Sequence, residues 1–259
     1  MPTIKLDDQQ LFYALHRPTE RAVDAPNLVL IHGAGGTHLD WPAALRRLPG
    51  AVVYALDLPG HGRSTPPGCE SVADYAAVVA RFMARQPLSR VVLMGHSMGG
   101  AIAMTLALQN APGVVGLVLA GTGARLRVAP AILDRIMTDY EGVADLLADA
   151  FWSADTPAAI REQSKERLLA TDAAITLGDF RACDSFDVRG QLGQIRQPTL
   201  VIGGDTDPLT PLKYSQYLAQ EIPQARLVTL AGTGHMLLLA RPDEAATAVR
   251  AFLEELGND

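Results

Sequence analysis

The sequence predicts an α/β fold: a mostly parallel central sheet flanked by helices, with a helical insertion late in the chain. Three observations carry this. Short unbroken runs of Val, Ile and Leu recur, as expected of strands covered on both faces. Helix-spaced apolar patterns lie between them. One strand-like run, Val91 to Met94, passes through Gly95-His96-Ser97-Met98-Gly99 straight into a helix-like run. That is the spacing of a very tight strand–turn–helix.

The elements follow in order. Residues 3–6 and 10–16 read as a short hairpin broken at Asp7-Asp8. Leu28–Ile31, Ala51–Leu56, Val91–Met94, Val114–Ala120, Thr199–Ile202 and Arg226–Leu230 read as strands. Ser71-x-x-Asp74 has the form of a capping box. Behind it Val72, Tyr75, Ala76, Val79, Phe82 and Met83 recur at helical spacing. Thr210-Pro211 reads as a threonine cap with proline in the first helical turn. Pro242 opens the last helix, with Ala245, Ala248, Val249, Phe252 and Leu256 as its apolar stripe. Alternating strands and helices predict right-handed crossovers in a doubly wound sheet. The rhythm fails between residues 125 and 197, where Pro130–Ala150, Pro157–Ala170 and Ala173–Cys183 read as consecutive helices. The expected organisation is a core over residues 1–124 and 198–259, with a helical cap insertion over 125–197.

Composition narrows the functional class. With 259 residues and 48% hydrophobic content, one large α/β domain can bury a sizeable core. A net charge of −6 gives no support to nucleic-acid or anionic-lipid binding. Cys69 and Cys183 lack metal or redox spacing and read as free thiols of a reducing compartment. The first residues show no signal peptide, and no run approaches the ~20 apolar residues of a membrane span. The expectation is a cytoplasmic protein whose partner is a small molecule, with no cofactor and no metal. No H-E-x-x-H or H-x-x-E-H occurs, and position 38, a histidine, breaks G-x-G-x-x-G after Gly33.

The Gly95–Gly99 turn carries the chemistry. A serine at its apex is lifted out of the sheet edge, and the helix behind it points free N–H groups at whatever the serine attacks. An alcohol needs a base, and the base needs a partner that fixes its tautomer. His235, in Ala231-Gly232-Thr233-Gly234-His235 just past a strand, is the only histidine beyond position 96. Asp205 and Asp207 both follow a strand and both remain candidates for the acid. The chain order is then serine, acid, histidine. An oxyanion would be held by backbone N–H groups. Met98 at the helix start supplies one. Ala34 in His32-Gly33-Ala34-Gly35-Gly36 supplies the second, with Gly35 as runner-up. An imidazole base predicts activity lost in mildly acid solution.

These segments resemble the α/β-hydrolase superfamily over nearly the whole chain. Four match in order: His32-Gly33-x-Gly35; Asp57-x-x-Gly60-His61-Gly62-x-Ser64; Gly95-His96-Ser97-Met98-Gly99-Gly100; and Gly204-x-x-Asp207-x-x-x-Pro211 with Gly234-His235. The resemblance implies the α/β-hydrolase fold with a helical cap, and favours Asp207 as the acid. Some members carry the acid after the preceding strand, where this chain reads Gly121-Thr122-Gly123. It also implies structural roles for His32, His61 and Asp57. His96 reads as a packing residue. His38 and Trp41 read either as pocket mouth or as part of the next helix. The expected activity is carboxylesterase action on small or medium acyl esters through Ser97, Asp207 and His235. The rivals are carbon–carbon bond hydrolysis of ring-cleavage products, lactonase or cofactor-free perhydrolase action, and a small-molecule receptor on the same fold. A serine nucleophile separates the chain from dehalogenase-like and epoxide-hydrolase-like members, which use aspartate.

Overall fold

The computed structural model describes residues 2–20 and 24–257. Its strands are β1 (Thr3–Leu6), β2 (Gln9–His16), β3 (Asn27–Ile31), β4 (Val52–Leu56), β5 (Val91–His96), β6 (Val114–Ala120), β7 (Thr199–Gly204) and β8 (Ala225–Leu230). They form one sheet in the order β1-β2-β4-β3-β5-β6-β7-β8. The hairpin β1–β2 and the β2–β4 pair are antiparallel, and every pair from β4–β3 onward is parallel. All five residues of β3 and of β4 are buried, which is why these strands read as continuous apolar runs rather than alternating ones.

The helices are α1 (Ala43–Arg46), α2 (Val72–Arg85), α3 (Met98–Leu108), α4 (Pro130–Arg135), α5 (Tyr140–Phe151), α6 (Ala158–Leu169), α7 (Ala173–Ser185), α8 (Leu212–Glu221), α9 (Leu237–Ala240) and α10 (Pro242–Gly257). Residue parity sorts them onto two faces. Val29 and Ile31 of β3 pack with α2, α3 and α8. Leu28 and Leu30 pack on the other face, with α1, α9 and α10. Between β6 and β7 lie α4 to α7, with a small apolar centre of their own built on Ile136, Val143, Leu147, Leu168 and Leu177.

Two local expectations are corrected. The helix read over Pro130–Ala150 is two helices, because Asp139 leaves helical geometry and its carboxylate accepts from Gly142 N at 3.1 Å, capping α5. Thr210 does not cap α8. Pro211 holds the cap position, and the Thr210 hydroxyl is drawn to Asp207 at 2.7 Å. At α2 the expected Ser71 cap is present, its hydroxyl accepting from Asp74 N at 3.1 Å. The Asp74 carboxylate meets that same hydroxyl at 2.6 Å.

Candidate active site

Ser97 joins β5 to α3 with φ 52° and ψ −117°. A non-glycine residue there is strained, and such strain persists only where the surroundings over-determine it. Here they do. Ser97 N donates to Ala120 O at 3.0 Å, and its carbonyl accepts from Gly100 N at 2.9 Å and Thr122 Oγ1 at 2.8 Å. The two flanking glycines are steric requirements. A Cβ on Gly95 would run into the Gly99 peptide, and one on Gly99 into the Ile31 carbonyl. Strand and helix can cross this closely only without those carbons.

Asp207 sits in the loop after β7, almost wholly buried. Its Oδ1 accepts from Leu209 N at 2.8 Å and Thr210 N at 3.0 Å, while Oδ2 accepts from Thr210 Oγ1 at 2.7 Å and His235 Nδ1 at 2.9 Å. Burial alone would raise its pKa. The neighbouring His235 and the bonds from His235 and Thr210 outweigh it and bring the carboxyl down to about 2. A carboxylate only accepts, so His235 Nδ1 carries the proton of the neutral ring. Nε2 is then the basic nitrogen, without a protein partner among the described residues.

The His235 loop is held on three further sides. His96 Nε2 donates to the His235 carbonyl at 2.9 Å. Met236 N donates to Phe151 O of α5 at 2.9 Å, and the Phe151 ring stacks on the imidazole with centroids 6.0 Å apart. Asp205 accepts from Gly232 N at 2.7 Å and Thr233 N at 3.3 Å, so it builds the loop and does not touch the imidazole. Of the two candidate acids, Asp207 alone meets His235.

Ser97 and His235 line one cavity of about 310 Å³. Gly33 and Ala34 line it, together with Leu147 and Phe151 of α5 and Leu168 of α6. Among the described residues neither Ala34 N–H nor Met98 N–H meets a protein acceptor. The runner-up, Gly35 N–H, is already spent on Asp179 Oδ2 at 2.7 Å.

The other histidines fall outside the reacting set. His32 accepts from Leu58 N at 3.0 Å through Nε2 and donates to Gly33 O at 2.8 Å through Nδ1, so it is neutral. Burial and the nearby His61 push its pKa to about 4. Burial and the nearby His235 likewise push His96 to about 3. His38 is buried, with Nδ1 on Asp57 Oδ1 at 2.8 Å, and Trp41 is core; neither borders the cavity. Cys183 does border it, yet burial drives its thiol further from ionisation. Burial also holds the Cys69 thiol up at about 12. Arg125 lies 3.7 Å from Asp187, whereas the exposed Arg127 sits at the cavity margin. Among the apolar residues between β6 and β7, Ile132, Leu147, Phe151 and Leu168 border the cavity, while Ile136 is core and Met137 and Leu146 are exposed. No set of three or more His, Cys, Asp or Glu among the described residues could hold a metal. No described helix is long and apolar enough to cross a membrane.

Sequence reading gave Thr210 a different role and passed over Asp179, whose carboxylate accepts from Gly35 N in the loop that lines the cavity. Its signal is an acid on the buried Thr176–Asp179–Ala182–Cys183 face of α7.

The chain is similar to several known proteins. It is 34% identical over 247 residues to the polyketide synthase ThaQ of Burkholderia thailandensis, covering 89% of this chain but 12% of that much longer protein. It is 27% identical to the pimeloyl-[acyl-carrier protein] methyl ester esterase of Yersinia pseudotuberculosis, covering 88% of this chain and 93% of the relative. Among solved structures, a thermophilic esterase matches with TM-score 0.85 at 31% identity over 99% of this chain and 98% of that one. The enol-lactonase of Burkholderia xenovorans LB400 matches with TM-score 0.88 at 26% identity, covering 98% of this chain and all of that one. The family model for the alpha/beta hydrolase family matches residues 28–248. With the sheet order, the strained serine turn and the buried imidazole–carboxylate pair already established, this chain belongs to the alpha/beta hydrolase family.

Proposed function

We propose that the chain is a serine esterase that cleaves carboxylic esters of small to medium acyl chains through Ser97, His235 and Asp207. One observation carries the reading: the strained Ser97 borders the same cavity as an imidazole whose other nitrogen is bound to a buried carboxylate. Ser97 Oγ attacks the ester carbonyl as its proton passes to His235 Nε2. The oxyanion is held by the Ala34 and Met98 amides. His235 then gives the proton to the leaving alcohol oxygen, and the acyl group stays on Ser97. Water repeats the cycle in reverse roles and frees the acid. Asp207 stays ionised throughout and steadies the imidazolium. The inserted helices, residues 125–197, act as the cap whose apolar roof selects the acyl or alcohol group.

Esterase relatives of nearly equal length support this reading. The likeness to an enol-lactonase supports a second: the same steps on a cyclic ester, where the leaving alcohol stays tethered. The test is turnover of p-nitrophenyl acetate and butyrate by wild type and by Ser97→Ala, with fluorophosphonate labelling mapped to its residue. Turnover lost in Ser97→Ala and a label on Ser97 are expected. A label elsewhere, or an active Ser97→Ala, overturns the reading. A lactone panel assayed alongside separates the two substrate classes.

A further inference from the structure

Asp179 of α7 is a fully buried carboxylate that the proposed chemistry does not use. Three donors from distant parts of the chain converge on it. Tyr75 OH of α2 reaches Oδ1 at 2.5 Å; His61 Nε2 and Gly35 N reach Oδ2 at 2.8 Å and 2.7 Å. The other His61 nitrogen, Nδ1, faces Pro59 O at 2.9 Å. Both ring nitrogens thus face acceptors, an arrangement that favours the doubly protonated ring. Burial opposes that charge, and the Asp179 carboxylate prevails, raising the His61 pKa. The neutral His32 ring lies against it at 4.9 Å.

This buried ion pair holds the loop under the cavity. The Gly35 N–H ends on Asp179, and the Gly35 carbonyl accepts from Thr171 Oγ1 at 3.0 Å. Both peptides of Gly35 are therefore held from the segment between β6 and β7, by Asp179 of α7 and by Thr171 in the turn before it. One step back, the Gly33 carbonyl accepts from His32 Nδ1 at 2.8 Å and Gly36 N at 3.1 Å. A trans peptide then points Ala34 N–H the opposite way. Without Asp179, Gly35 N–H would be a buried donor in need of a partner, on a residue that lines the cavity.

We propose that Asp179 is a positioning residue for catalysis: with His61 and Tyr75 it forms a buried post that seats the Gly35 peptide and leaves Ala34 N–H as the loop's oxyanion donor. This rests on the roles of Ser97, Ala34 and Met98 proposed above. It makes the inserted helices part of the catalytic floor as well as its roof, since the loop cannot keep its shape if α7 lifts away.

Asp179→Asn tests it, because the amide keeps the shape and loses the charge that pairs with His61. A misplaced oxyanion loop costs turnover rather than substrate binding. The expected result is a fall in kcat of about 10- to 100-fold with KM within about threefold. Affinity for a trifluoromethyl ketone, which forms the oxyanion, falls in step with kcat. Hydrogen exchange at the Gly35 amide accelerates at least about tenfold. Wild-type kcat in a folded Asp179→Asn, or a Gly35 amide that exchanges freely in wild type, overturns the proposal. Should Asp179→Asn not fold, Tyr75→Phe removes one of the three anchors. It is expected to lower kcat by about two- to fivefold with KM unchanged, and unchanged kcat with unchanged Gly35 exchange counts against the post. If wild type cleaves no ester or lactone, the esterase reading fails by itself, while Gly35 exchange still decides whether Asp179 holds the loop.

Discussion

Of the buried imidazole–carboxylate pairs in this molecule, one borders the cavity and one lies beneath the Gly35 loop that lines it. His235–Asp207 spans 2.9 Å and His61–Asp179 spans 2.8 Å. In isolation they are nearly the same object. They differ in the second ring nitrogen. His235 offers Nε2 to the cavity with no protein partner among the described residues, whereas His61 spends Nδ1 on the Pro59 carbonyl. A ring with one nitrogen committed can exchange a proton with a substrate. A ring with both nitrogens facing acceptors favours its charged form and holds structure, with no nitrogen free to take a proton from a substrate. The difference teaches that a histidine's role is read from what its far nitrogen meets.

Replacing each imidazole by an amide separates the two pairs by the largest effect. His235→Gln is expected to lower kcat on p-nitrophenyl butyrate by at least about 10⁴-fold, with a melting temperature close to wild type. His61→Gln is expected to cost about 10- to 100-fold together with a clear loss of melting temperature. Equal losses in two folded variants would erase the distinction. The carboxylates form the next rung. Asp207→Asn should cost about 10⁴-fold in kcat, because an amide can hold His235 in the wrong tautomer. Asp205→Ala, on the neighbouring residue, should leave kcat within a few-fold and lower stability by about 1–2 kcal/mol, measured by urea unfolding. An Asp205→Ala defect as large as that of Asp207→Asn would reopen the choice of acid.

Backbone crowding gives a third contrast. Gly99→Ala puts a methyl group into the Ile31 carbonyl. It should cost about 3 kcal/mol or more, or abolish folding. Gly193→Ala meets no atom within 4 Å and should shift stability by no more than about 0.5 kcal/mol. Urea midpoints of the two variants measure the difference.

The smallest effects are in pH. The His61 pKa is raised on folding, so its contribution is complete below the unfolded value of 6.5 and is lost as pH rises through the folded one. His32 and His96 run the other way. Buried as neutral rings, they contribute fully above 6.5 and lose that contribution as pH falls toward about 4 and about 3. Asp207 stabilises the fold above 3.8, and that stabilisation is lost as pH falls toward about 2. Thermal melts across pH 4–10 should therefore show lower stability at both ends. In His61→Gln the alkaline decline should flatten while the acid decline persists. An unchanged alkaline limb would assign that decline to another group.

Much of the molecule was legible along the chain. Strands, the Ser97 turn and the last helix follow from short-range sterics and periodicity, which act within a few residues. The breaks in this legibility are instructive. Asp139 ended a helix because a carboxylate can satisfy a free N–H locally, a contest that apolar spacing does not reveal. Thr210 abandoned a cap because Asp207 offered a charged acceptor. Of Asp205 and Asp207, resemblance favoured the second, and only the meeting of two loops showed which one touches the imidazole. The partners of Asp179 lie 104, 118 and 144 positions away, beyond the reach of any pattern read in a window.

By itself the sequence determined where backbone must turn and which side chains could react. A glycine's missing Cβ and an unbroken apolar run have the same consequence wherever they are packed. The tertiary structure alone decided which buried imidazole is free, which carboxylate meets it and which amide of the His32–Gly36 loop stays unpaired. Those are properties of partners, and a polar group in a low-dielectric interior takes its charge and its role from whatever folding brings within 3 Å of it.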